Sequence, residues 1–152
     1  QLYLALGAVN LEPPASSEKS TRFIRQWLST RRLSMPELVL ENGSGLSRVE
    51  RISAKSLAQL LLMAQRSAVM PEFIASLPLV AVDGTMKKRL SGADIAGQAH
   101  IKTGSLTGVR AIAGYVLDAK GRTMVVVCIV NHARAQSALP AQDALLTWVY
   151  RR

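Results

Sequence analysis

The chain has 152 residues, 49% of them apolar and 19% charged, which places it with single globular domains and excludes a disordered tail. Its formal charge of +9 would favour any polyanion. The basic residues nevertheless scatter as Arg22, Arg25, Arg31, Arg32, Lys87, Lys88, Arg89, Arg151 and Arg152, with no recognition-helix pattern and no interleaved aromatics, which argues against a nucleic-acid partner.

The first residue is Gln1 rather than Met and lies against the apolar run Leu2 to Leu6, so the natural start is expected upstream and the lack of a signal peptide says nothing of the compartment. Residues 2 to 6 read as the end of a helix stopped by Gly7. After Pro13-Pro14, Ser16 suits a helix N-cap, and Phe23, Ile24, Trp27 and Leu28 form one apolar stripe at helical period with Arg22, Arg25 and Arg32 turned outward. Leu38 to Leu40 is a short apolar run before the turn-rich string Glu41 to Arg48, in which Gly43 and Gly45 flank Ser44 and permit an unusual backbone path. Ser53 is a plausible N-cap for a helix through about Gln65 with Leu57, Leu60, Leu61 and Ala64 buried, and Pro71 opens a shorter helix to about Leu77.

Residues 84 to 99 read as irregular, rich in glycine and charge. Strands are expected at about 99–105, 109–118 and 123–131, the last two rich in β-branched residues and joined as a hairpin through Asp118-Ala119-Lys120-Gly121-Arg122. Cys128 lies inside the apolar run Val125 to Val130 and reads as a small buried hydrophobe. Pro140 starts a last helix with Ala141, Ala144, Leu145 and Trp148 on one face. Helices, then strands, then a helix give an α+β order, and no segment has the roughly 20 apolar residues of a membrane span.

Lys102-Thr103-Gly104, just ahead of the hairpin, places a cation, a hydroxyl donor and a residue without a Cβ on what is expected to be a sheet edge, where a carboxylate can be held. The N–H of Ser105 is then available to a developing oxyanion. The tripeptide alone is weak, because it recurs by chance and a solvated strand end explains it as well. His100 and His132 read as hydrogen-bonded strand-end residues, because no third ligand accompanies them at useful spacing.

The longer string His100-Ile101-Lys102-Thr103-Gly104-Ser105-Leu106-Thr107-Gly108-Val109-Arg110-Ala111-Ile112-Ala113-Gly114-Tyr115 closely resembles the third active-site motif and following strand of the class C low-molecular-mass penicillin-binding proteins, the serine-type D-alanyl-D-alanine carboxypeptidases and endopeptidases. Gly43-Ser44-Gly45-Leu46-Ser47-Arg48 resembles a second hallmark of that family, in the matching order, and the resemblance runs over essentially the whole chain. Where the family more usually has aspartate before the first glycine, this chain has Asn42.

The resemblance implies the C-terminal half of a β-lactamase/transpeptidase-like domain spanning residues 1–152, mainly helical with loops over 1–98, with sheet strands and a final helix over 99–152. It implies serine acyl transfer on peptidoglycan stem peptides, with Lys102 catalytic and Thr103, Gly104 and Ser105 binding substrate, β-lactam antibiotics as ligands, a periplasmic setting, and neither metal nor organic cofactor. The family site also needs Ser-x-x-Lys and Ser-x-Asn. No Ser-x-Asn occurs in the chain, and Ser16-Ser17-Glu18-Lys19 lies on the wrong side of where it would fall, so Ser16 is read as a cap. Ser44 is read as loop architecture, since nothing supplies it with a base. The chain alone is therefore expected to be inactive and to self-associate through surface that upstream residues would cover. A β-lactamase or esterase of the same fold, and a noncatalytic module binding cell-wall polymer, remain as alternatives.

Overall fold

The computed structural model describes residues 1–152, which form two compact units, Gln1–Ser56 and Leu57–Arg152. The first unit is built on α1 (Leu2–Leu11) and α2 (Ser17–Thr30). Gly7 does not stop α1. It lies mid-helix, where an added Cβ would sit 2.7 Å from both the backbone N and the Oγ of Ser20, so this glycine lets α1 and α2 approach closely. The expected stop at Gly7 fails because glycine also serves close helix packing, which a single sequence does not distinguish from a C-cap.

Ser16 caps α2 as expected, its Oγ accepting from the Lys19 N–H at 3.2 Å. Arg25 is exposed as expected, and its guanidinium also donates to the Leu38 carbonyl and ties the helix to the segment that follows. That segment forms a single antiparallel bridge, Val39 to Arg51, around the glycine string. Gly43 has φ of 66° and Gly45 of 75°, in the left-handed region where a side chain costs energy.

Helix α3 (Ala54–Gln65) carries the division between the units, and α4 (Met70–Ala75) ends two residues before the expected Leu77. Strands β1 (Ala99–Leu106), β2 (Val109–Leu117) and β3 (Thr123–Asn131) form an antiparallel sheet in the order β1-β2-β3, close to the expected spans. A two-residue connection, Thr107-Gly108, closes β1 onto β2 and fixes their register, with Lys102 opposite Ala113 and Ser105 opposite Arg110.

One face of the sheet carries Ile101, Ile112, Val116 and Val126 into the core, against Leu146 and Val149 of α5 (Leu139–Arg151). Cys128 packs at the edge of this core and is partly buried. The irregular stretch before β1 contributes Val80, Met86 and Ile95, all fully buried, and Arg89 anchors it to α5 through Asp143 at 2.6 Å. Of the face expected to be buried on α5 only Leu145 packs against the core, and the buried stripe is displaced by one position. Gln142, Leu146 and Val149 turn inward, while Ala141 and Ala144 are exposed and Trp148 is 56% exposed, with the Arg152 guanidinium 4.9 Å from its ring centre. A cation over the indole face gives this tryptophan a partner outside the core.

Candidate active site

Lys102, Thr103, Gly104 and Ser105 occupy consecutive positions in β1, at the edge of the sheet. The preceding segment runs beside only the start of this strand: Val80 N–H donates to the Ala99 carbonyl at 2.9 Å, and Ile101 N–H donates to the Pro78 carbonyl at 2.8 Å. In an antiparallel ladder, backbone groups of alternate residues point the same way. Ala99 and Ile101 therefore face outward, and so do the backbone groups of Thr103 and Ser105, which that segment does not pair with. The N–H of Ser105 is thus directed at the open edge rather than at β2.

Side chains alternate as well. Lys102 and Gly104 lie on one face of β1, with Thr103 and Ser105 on the other. The Lys102 side chain is exposed, and its Nζ donates to the outward-facing Thr103 carbonyl at 2.7 Å. An added Cβ at Gly104 would meet only the Ala111 Cβ, at 3.4 Å. Thr103 Oγ1 lies 2.8 Å from Thr85 Oγ1, and Ser105 Oγ accepts from Arg110 Nη1. The result is an edge carrying an outward N–H, a primary ammonium and two hydroxyls, a set of donors suited to an extended peptide ending in an anionic group.

The remaining candidates have local partners. Ser44 Oγ accepts from Leu46 N–H at 3.1 Å, while its own N–H donates to Asn42 Oδ1 at 2.9 Å, so the residue is engaged in two turns of its loop. Glu50 Oε1 accepts from the N–H groups of Glu41, Asn42 and Gly43, a carboxylate holding the start of that loop. His100 Nδ1 lies 3.3 Å from the Leu77 carbonyl, and His132 Nδ1 accepts from Arg134 N–H at 3.0 Å. A cavity of about 230 Å³ opens beside His100 and Tyr115, and none of the four motif residues lines it. Burial raises the Tyr115 phenol pKa above its ordinary value, and its hydroxyl donates to the Leu61 carbonyl at 2.7 Å.

Sequence reasoning gave no role to Thr85, Arg110 or Gln136. The signal for Arg110 was present: a two-residue turn at Thr107-Gly108 places Arg110 opposite Ser105 by register alone. Thr85 and Gln136 come from irregular segments, where no period announces them.

The family model for D-Ala-D-Ala carboxypeptidase 3 (S13) matches residues 2–151. The chain belongs to this family. It is 36% identical over 114 residues to a D-alanyl-D-alanine carboxypeptidase of Actinomadura sp. (strain R39), a match covering 71% of this chain and 21% of that protein. It is 27% identical over 132 residues to the D-alanyl-D-alanine carboxypeptidase DacB of Haemophilus influenzae, covering 86% of this chain and 28% of that one. The fold matches the crystal structure of penicillin binding protein 4 from Haemophilus influenzae with a TM-score of 0.90 at 24% identity, over 99% of this chain and 36% of that chain. The chain thus spans less than a third of the length of these curated relatives. No helix of the chain is long and apolar enough to cross a membrane.

Proposed function

We propose that this S13 chain is the C-terminal portion of the catalytic domain of a serine-type D-alanyl-D-alanine carboxypeptidase, and that it supplies the wall of the active site which binds the substrate's peptide terminus. The observation that carries this reading is the open edge of β1, where Ser105 N–H points outward beside Lys102 and Thr103. In this reading the stem peptide, or a β-lactam, lies along that edge. The Ser105 N–H stabilises the oxyanion of the tetrahedral intermediate, Lys102 supplies positive charge toward the reacting centre, and Thr103 and Ser105 hold the terminal carboxylate. The nucleophile and its base belong to residues outside this chain, in keeping with the absence of Ser-x-Asn. The setting is the periplasm, where peptidoglycan is the substrate, and cleavage of peptide cross-links accompanies carboxypeptidase action.

The test uses labelled penicillin and a diacyl-D-alanyl-D-alanine peptide. The whole protein is expected to take up label stoichiometrically and to release D-alanine, and Lys102→Ala to slow its acylation by about 10-fold or more, as when one charge-assisted contact to the transition state is lost. The 152-residue chain alone is expected to show no adduct by intact mass. An adduct on the isolated chain, mapped to Ser16 or Ser44, would overturn the assignment of the nucleophile. A whole protein that binds peptidoglycan with steep salt dependence but takes no label would favour the noncatalytic reading.

A further inference from the structure

Behind Ser105 lies a charged group with no role in the site described so far. Arg110 faces Ser105 across the β1–β2 ladder, and its Nη1 donates to Ser105 Oγ. Its Nη2 donates to Gln136 Oε1, in the 3-10 turn Ala135–Ala138. Its Nε is enclosed and has no acceptor. The fork is thus held from two sides, on an element that cannot move without breaking the register of β2.

The direction of these bonds determines what Ser105 can do. A guanidinium carries donors only, so Ser105 Oγ must act as acceptor toward Arg110, and the hydroxyl proton is left for a different acceptor. Two residues earlier on the same face, Thr103 Oγ1 donates to Thr85 Oγ1 at 2.8 Å. The Ser105 hydroxyl, with its proton free, a fixed cation behind it and the anchored Thr103 beside it, discriminates between an anion and a neutral amide. Hydroxyls alone would accept either. We propose that Arg110, braced by Gln136, is a positioning residue that aims the Ser105 hydroxyl at the terminal carboxylate of the substrate and so sets the preference for peptides that end in a free carboxylate. This rests on the functional reading above, and adds to it the group that confers the selectivity.

The experiment measures kcat/KM in the whole enzyme for a diacyl-D-alanyl-D-alanine peptide and for the same peptide with its C-terminus as carboxamide. Arg110→Met is expected to lower the value for the free carboxylate by about 10- to 100-fold, the range for losing a hydrogen bond made to a charged group. The carboxamide value is expected to change by less than about 3-fold, because a neutral terminus draws little on the charge. Ser105→Ala is expected to reproduce this loss, and the double variant to add little to either, as for two groups acting as one unit. Arg110→Lys, which keeps the charge and loses the fork, should recover part of the preference. Equal losses on both peptides would mean that Arg110 only braces β2 against the turn, and would overturn the proposal while leaving the enzyme assignment intact. Should Arg110→Met fail to fold, Gln136→Ala frees the guanidinium without removing it, and an unchanged carboxylate-to-carboxamide ratio in that variant overturns the proposal. A wild-type enzyme inactive on both peptides and inert to penicillin overturns the functional reading itself, and this proposal with it.

Discussion

Gly114, with a φ of 156°, has a further constraint set by its neighbour across the sheet. A Cβ at this position would lie 2.0 Å from the His100 carbonyl oxygen and 3.0 Å from its carbon, both backbone atoms that no rotamer change can move aside. Gly114→Ala is therefore expected to destabilise the fold by about 3 kcal/mol or more, the upper part of the range for overpacking, and to pull β1 away from β2 next to the motif. A urea midpoint equal to that of the unaltered chain would contradict this. At the far end of β2, Asp118 plays the opposite part, accepting from the N–H groups of Arg122 at 2.8 Å and Lys120 at 3.0 Å and from Arg122 Nε at 2.7 Å. The Arg122 backbone N–H is foremost among the contacts that hold its carboxyl below the usual carboxylate pKa, so the residue stays charged inside the turn it organises. At this scale the sequence was legible where chemistry is contiguous. Lys102 to Ser105 could be singled out because the four residues of the proposed site are neighbours in the chain, whereas Arg110 and Gln136 meet Ser105 only through pairing and chain return.

The entry into α3 shows how a helix boundary can depend on a residue far off in the chain. Ser53 caps the helix by accepting from Ser56 N–H at 3.1 Å, as its position suggested, but the two serine hydroxyls also donate to one oxygen of Glu37, at 2.6 and 2.5 Å. The hydroxyls of Ser53 and then Ser56 hold the Glu37 carboxyl down from 4.5 to about 2. A carboxylate with a depressed folded-state pKa adds stability that is complete above its unfolded value and is lost as pH falls toward the folded one. The stability difference between the unaltered chain and Glu37→Gln, read by urea titration, is thus expected to be constant at neutral pH and to shrink between about 4.5 and 2. A difference that stays constant across that window would rule out the carboxylate as its source. The elements themselves were legible to unequal degrees. The three strands announced themselves through β-branched runs, and the caps of α2 and α3 through serines. The inward face of α5 was misjudged because Trp148 is held by Arg152 outside, while a polar residue, Gln142, is buried inside. The stretch from residue 84 to β1 was read as irregular, and apart from one 3-10 turn it is, yet it supplies Met86 and Ile95 to the core at no regular period.

Across the chain, the sheet ends at β3, which pairs with β2 on one side and with no strand on the other. Every second residue of Thr123–Asn131 therefore directs its N–H and C=O away from the sheet, and an unpaired row of such groups is a template for another strand. The face of the sheet turned from the α5 core adds to this: Val125, Val127 and Ile129 lie there, only partly buried. Blunting devices of the usual kind are missing from the edge, because no Pro, Lys or Arg interrupts Thr123 to Asn131. The net charge of +9 opposes association over distance, but salt screens it within about 10 Å at 0.1 M, well short of what is needed to keep two molecules apart. The isolated chain is consequently expected to self-associate through β3, more strongly as salt is added, and sedimentation over a concentration series should reveal it. Val127→Lys places a charge on the partly buried face of that strand and is expected to return the chain to a monomer. Monomeric behaviour of the unaltered chain at high concentration and high salt, together with amides of β3 that resist hydrogen exchange on both sides, would show that something within these residues already protects the edge.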